Sequence, residues 1–118
     1  MAKELRMYVL DALDACARIF EYTAERDLES FLADSQLRSA VERQFITVGE
    51  ALQRAAELAA DADARIGELR EIVGFRHVLV HGYSRVEAKR VWDVLTGDLP
   101  GIRSELEAWL RELDPDLR

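Results

Sequence analysis

Residues 35–59 read SQLRSAVERQFITVGEALQRAAELA, and the spacing of their apolar side chains decides the fold class. Leu37, Val41, Phe45, Val48, Leu52, Ala55 and Leu58 or Ala59 recur at intervals of three and four, which gathers them into one stripe on an α-helix of about seven turns. Ser35 stands just ahead of the first apolar residue and reads as the N-cap, because its hydroxyl can accept from a free amide of the first turn. Gly49 interrupts the stripe at a cost of about 1 kcal/mol relative to alanine. A glycine there predicts the close approach of another helix, with a merely tolerated glycine as the alternative.

Working outward, the same period appears on both sides. Leu5, Val9, Ala12, Leu13, Cys16, Ile19 and Phe20 define a first helix running to about Tyr22, with Lys3, Asp11, Asp14, Arg18 and Glu21 on its polar face. TAERDLESFLADS has room for one short helix around Leu28 to Leu32. The small, acidic segment AADADA at 59–64 reads as a break, after which Ile66, Leu69, Ile72 and Val73 resume the period in a third long helix. Val86 through Leu95 forms a further helical stretch that TGD ends, and LPG at 99–101 introduces a last helix with Leu106, Trp109, Leu110 and Leu113 on one face. There is no fixed-period repeat, low-complexity tract or linker. The expectation is an all-α, up-and-down bundle of four to five helices in a single domain spanning 1–118.

Composition agrees. A chain of 118 residues is the size of one packing unit, and only two prolines and six glycines argue against a loop-rich β architecture. No apolar run approaches the roughly 20 residues that a membrane span needs. The start MAKELRMYVL lacks a signal peptide's continuous apolar core, so a cytoplasmic protein is expected, with no membrane partner. The single cysteine, Cys16, lies on the apolar face of the first helix and reads as a buried small hydrophobe. A zinc site would have to draw on His77, His81, Cys16 and carboxylates at no recognisable spacing, so no metal or cofactor is expected. Trp92 and Trp109 fall on apolar stripes and read as core or interface anchors. The acidic tail DPDLR suggests no function.

Net charge is −7, which at first sight opposes a nucleic-acid partner. The charge is unevenly spread, however. Between residues 65 and 90, Arg65, Arg70, Arg76, Arg85, Lys89 and Arg90 face only Glu68, Glu71 and Glu87, a local +3 that leaves −10 for the remainder. Arg70, Arg85, Lys89 and Arg90 are candidates to bind RNA phosphates, with a merely solvated helix face as the alternative.

That basic window contains both histidines, in FRHVLVHGY at 75–83. Imidazole can take up and return a proton near neutrality. Arginine keeps its charge, and its planar fork matches the oxygens of a phosphoryl group. Arg76 with His81 is thus a minimal kit for metal-free phosphodiester cleavage, in which RNA's own 2′-hydroxyl is the nucleophile. Tyr83 could donate to a phosphate or be modified. On a straight helix, positions five apart point about 140° away from each other. Arg76 and His81 therefore converge only if the helix bends or ends near Gly82, or if a second copy of the chain completes the site. His77 and His81, four apart, share a face. The plain alternative is a helix end, with its histidines near the carbonyl terminus and Gly82 as C-cap.

The segment REIVGFRHVLVHGYSRVEAKRVWDVL resembles the signature of HepT-type HEPN toxins, an arginine, four to six residues, histidine, any residue and tyrosine: here Arg76, HVLV, His81, Gly82 and Tyr83. AVERQFITVGEALQRAAEL, with Gly49, Glu50 and Ala51, is similar to the family's second conserved stretch, and the resemblance extends over nearly the whole chain. It implies a HEPN-like helical homodimer with metal-independent endoribonuclease activity, in a cleft lined by the motif from both protomers. Arg76 would hold the scissile phosphate and His81 would act as general base or acid. The residue after the arginine is most often asparagine; here it is His77, which could add proton-transfer capacity, orient Arg76 or simply substitute. Glu50 reads as structural first, with an orienting role toward Arg76 or His81 as its second reading. The resemblance further implies a type II/VII-like toxin-antitoxin pair, in which an MNT-type nucleotidyltransferase antitoxin transfers AMP to Tyr83 and so blocks RNA. From different classes stand two alternatives: a non-catalytic HEPN nucleotide-binding or partner-docking subunit, and an interaction-only helical bundle.

Overall fold

The computed structural model describes residues 2–82 and 86–114. Among the described residues there are seven helices and no strand: α1 (Ala2–Thr23), α2 (Leu28–Ala33), α3 (Ser35–Leu58), α4 (Ala62–Arg65), α5 (Leu69–His81), α6 (Ala88–Gly97) and α7 (Leu99–Leu113). The five longer ones carry the fold, and α2 and α4 are single-turn pieces that link them. No helix among the described residues is long and apolar enough to cross a membrane.

The long helix α3 is central, packed against α1 on one side and α5 on the other, while α7 lies on α1 and α6 on α7. Its stripe is buried as the spacing requires, with Val41, Phe45, Val48 and Leu52 fully enclosed. They meet Val9, Ala12, Cys16 and Ile19 from α1, Ile72 and Phe75 from α5, and Ile102, Leu106 and Trp109 from α7 in one continuous core. Phe45 packs edge-on against Phe75, ring centroids 5.4 Å apart, an arrangement worth about 0.5–1.5 kcal/mol beyond the area it buries. Trp92 is half-buried against Phe31 at 5.2 Å, and Trp109 is buried; both are anchors.

Boundaries differ from the sequence reading at four places, each for a local reason. Asp34, not Ser35, caps α3: its carboxylate accepts from the Leu37 amide at 3.0 Å, leaving Ser35 as the first helical residue. The neighbouring Asp27 closes a reciprocal capping box with Ser30 that starts α2, the device that satisfies two orphan amide donors at once. Within AADADA, Ala62 to Arg65 form α4, fastened to α7 by Arg65. The guanidinium bridges Asp61 at 2.9 Å and both carboxylate oxygens of Glu112 at 2.6 and 3.1 Å. Ile66 does not start the third long helix; it is buried in the link after α4, and α5 begins at Leu69. Finally, α6 begins at Ala88, after an extended Glu87, and runs through Gly97; Asp98 separates it from α7, whose first turn holds Pro100, where a missing amide costs nothing.

Cys16 is fully buried, and burial pushes its thiol from the ordinary 9.0 up to about 12, with Arg103 opposing and Glu107 adding to the shift. The folded chain keeps this thiol protonated while the unfolded chain ionises it above about pH 9. The resulting loss of folding stability is about 1.4 kcal/mol per pH unit from there toward about pH 12. Cys16→Ala is expected to flatten that alkaline slope, measured by urea unfolding at about pH 8 and about pH 10.5.

Candidate active site

Helix α5 presents its two faces to different surroundings. Leu69, Ile72 and Phe75 point into the core, and the next residue, Arg76, falls where α5 crosses α3. The crossing is close because α3 has no side chain there. A Cβ added at Gly49 would collide with Arg76 Cβ and stand 2.8 Å from Arg76 Cγ and 3.2 Å from the Ile72 carbonyl oxygen. The stem of Arg76 therefore lies flat on the backbone of α3, and its side chain is only 23% exposed. At the far end, Nη2 donates to Oε2 of Glu50 at 3.2 Å. Nε is buried and has no hydrogen-bond partner among the described residues. Gly49 and Glu50, adjacent in sequence, together aim the guanidinium: one by giving it room, the other by holding its edge. The outer side of Glu50 opens on a cleft of about 130 Å³ that it shares with Tyr8, Asp11 and Arg54.

The opposite face of α5 carries the histidines. His77 and His81 are both exposed, their ring centroids 4.6 Å apart with planes inclined at 53°. Helix α5 stays regular through His81 and stops at Gly82, whose amide donates to the Val78 carbonyl at 2.6 Å. Gly82 caps with φ −79° and ψ −5°, and a Cβ there would collide with the Val78 carbonyl oxygen. No bend brings Arg76 and His81 onto one face, so within a single chain the two groups occupy different sides of α5. Tyr83 and Arg85 lie outside the described residues.

The other basic candidates are engaged locally. Arg70 is 84% exposed and approaches Asp63 at 3.6 Å. Lys89 pairs with Asp93 one turn on, at 3.0 Å. Both contacts are in open solvent, where such pairs contribute about 0–1 kcal/mol and yield readily to a phosphate. Arg90 lies over the Phe75 ring at 5.5 Å, a cation–π contact that holds it against α5. Among the described residues no group of three or more histidine, cysteine, aspartate or glutamate side chains is placed to hold a metal ion.

The regular all-helical fold and the arginine–histidine helix belong to a chain that matches the family model described as "Ribonuclease HepT-like" over residues 12–109. The chain belongs to that family. Among curated proteins it is 25% identical to "Putative RNase MJ0125" of Methanocaldococcus jannaschii over 112 residues, covering 95% of this chain and 96% of the relative. It is 28% identical to "Probable ribonuclease HepT" of Thermococcus cleftensis over 109 residues, covering 91% and 96%. No solved structure matches the chain.

Proposed function

We propose that this chain is a metal-independent endoribonuclease, the toxin of a toxin-antitoxin pair, acting as a homodimer on RNA. The observation that carries the reading is the fixed placement of Arg76 by Gly49 and Glu50 on the helix that also presents His81, in a chain of the HepT-like family. In this mechanism Arg76 binds the non-bridging oxygens of the scissile phosphate and offsets the charge that grows there. His81 takes the proton of the 2′-hydroxyl as its oxygen attacks phosphorus, and the 5′-oxygen leaves with a proton from the imidazolium of the other protomer's His81. The products are a 2′,3′-cyclic phosphate and a 5′-hydroxyl end. Because Arg76 and His81 of one chain face apart, the second protomer supplies the complementary half, and two copies also double the local positive charge. An MNT-type nucleotidyltransferase is the proposed antitoxin; AMP on Tyr83, two residues after His81 in sequence, adds a charged phosphate and bulk and repels RNA.

The test is incubation of the purified chain with RNA in EDTA: cleavage leaving 2′,3′-cyclic ends supports the reading, and intact RNA sinks it. Growth arrest on expression, relieved by a neighbouring nucleotidyltransferase together with whole-AMP mass increments on Tyr83, tests the pairing; Tyr83→Phe that is still fully neutralised overturns that part. The net charge of −7 favours the competing reading, a non-catalytic nucleotide-binding or docking subunit. That reading predicts RNA or nucleotide binding with no cleavage.

Glu50 serves here as a positioning residue. Glu50→Ala is expected to lower kcat by about tenfold with little change in KM, the size of one hydrogen bond to a charged group. Glu50→Gln, whose amide oxygen still accepts from Nη2, recovers part of the loss. Stability should move by less than about 1 kcal/mol in both, since the pair is partly open to solvent. Equal rates for all three proteins would remove Glu50 from the mechanism.

A further inference from the structure

We propose that His77 and His81 form a site for a divalent transition-metal ion such as Zn²⁺, and that its occupancy inhibits the chain by engaging the imidazole that would otherwise move the proton. The site is new relative to the proposed chemistry, which uses no metal; its inhibitory consequence rests on the ribonuclease reading, while binding itself does not.

Three observations meet at this pair. The rings lie one helical turn apart on an exposed face, with centroids 4.6 Å apart. For metal–nitrogen bonds of about 2.0–2.1 Å and a ring nitrogen about 1.1 Å from its centroid, two cis ligands at angles of about 90–110° place the centroids about 4.5–5.2 Å apart. The ring centroids thus stand at the separation that two imidazoles sharing one metal ion require. His81 also ends α5, where the unpaired carbonyls carry a partial negative charge that attracts a cation. The nearest arginine on the helix, Arg76, is turned to the other face and tied to Glu50.

Ligand chemistry sets the selectivity. Two imidazoles suit Cu²⁺, Ni²⁺ and Zn²⁺ and not the oxygen-seeking Mg²⁺. With two protein ligands and no third in reach among the described residues, the remaining coordination positions belong to water and binding is reversible. A lone pair given to the metal cannot accept the 2′-hydroxyl proton, so an occupied site has lost its base.

The experiment uses the full chain free of any affinity tag and stripped with EDTA. Zn²⁺ and, separately, Mg²⁺ are titrated by calorimetry and by histidine side-chain NMR, alongside His77→Asn, a polar residue that cannot replace imidazole as a ligand. The expected result is one Zn²⁺ per chain, perturbation of both histidine rings, no response to Mg²⁺, and Zn²⁺ affinity weaker by about tenfold or more in His77→Asn, the scale on which metal sites respond to altered surroundings. RNA cleavage is followed in parallel, each protein against its own rate in EDTA; Zn²⁺ should inhibit the wild type at concentrations about tenfold lower than His77→Asn. Equal Zn²⁺ affinity in the two proteins, or binding that leaves either ring unperturbed, overturns the site. Binding as described without inhibition of an active chain overturns the regulatory half. A chain that binds Zn²⁺ but never cleaves RNA leaves the site standing and removes the ribonuclease reading.

Discussion

His81→Ala is expected to slow RNA cleavage by about 10²–10⁴-fold, the contribution of a positioned general acid or base. Arg76→Ala should cost about 10²–10³-fold, comparable to removing one donor that stabilises developing charge. The His81 loss is not one of folding, since His81 is exposed at the last position of α5 and its removal should leave unfolding within about 1 kcal/mol of the wild type. Arg76→Ala also removes a stem packed on α3, its side chain being 23% exposed, so its rate is compared at equal folded fraction, set by urea unfolding. The more telling variant is Arg76→Lys. It keeps the charge, but a single ammonium cannot hold Glu50 and a phosphate oxygen at once as the fork can, and most of the loss should persist. If a homodimer completes the site, mixing inactive Arg76→Ala with inactive His81→Ala should restore part of the cleavage, because some mixed dimers carry an intact Arg76 on one protomer opposite an intact His81 on the other. Single-turnover cleavage of a short RNA measures all four cases. Cleavage by His81→Ala at the wild-type rate would remove it from the chemistry.

How much of this was legible beforehand depends on the range of the interaction. The stripes of α1, α3 and α7 are local periodicities, so their buried faces could be read from spacing alone. The same is true of His77 and His81, which share a face because four residues nearly complete a turn. Cap identity was off by one residue, since Ser35 and Asp34 are both competent caps and only the chain's path selects the carboxylate. Helix α4 was hidden because four residues rich in alanine and aspartate carry no period; Arg65, held by Asp61 and Glu112, keeps it in place from a distance of 47 residues. The pairing of Arg76 with Glu50 is likewise tertiary, spanning 26 residues. Only the coincidence of Gly49 with Glu50 hinted at it: a glycine that marks a helix crossing, next to a carboxylate placed to reach what crosses there.

That crossing carries the second large prediction. Gly49→Ala would raise the intrinsic helix propensity of α3 by about 1 kcal/mol, yet the added methyl has no space: it meets Arg76 Cβ and Cγ and the Ile72 carbonyl. These are the root of a side chain and a backbone atom, not a flexible tip, so relief requires α3 and α5 to separate, at a cost of about 1–3 kcal/mol for overpacking. The net expectation is a loss of up to about 2 kcal/mol, and Gly49→Leu, with three further carbons at the same point, should unfold the chain at moderate temperature. Gly74 supplies the contrast: it lies within α5 on the exposed side, with nothing within 4 Å of an added Cβ. Gly74→Ala should therefore stabilise by about 0.5–1 kcal/mol. Opposite signs at these two helical glycines, measured by thermal and urea unfolding, would tie the effect to the crossing and not to glycine as such. Gly49→Ala should also lose activity beyond its loss of stability, since separating α3 from α5 pulls Arg76 away from Glu50; activity and folding that fall in proportion would mean that Gly49 packs the fold but does not aim the arginine. A destabilising Gly74→Ala whose effect grows with protein concentration would place that face of α5 in the interface between two copies, beside the histidines that each contributes.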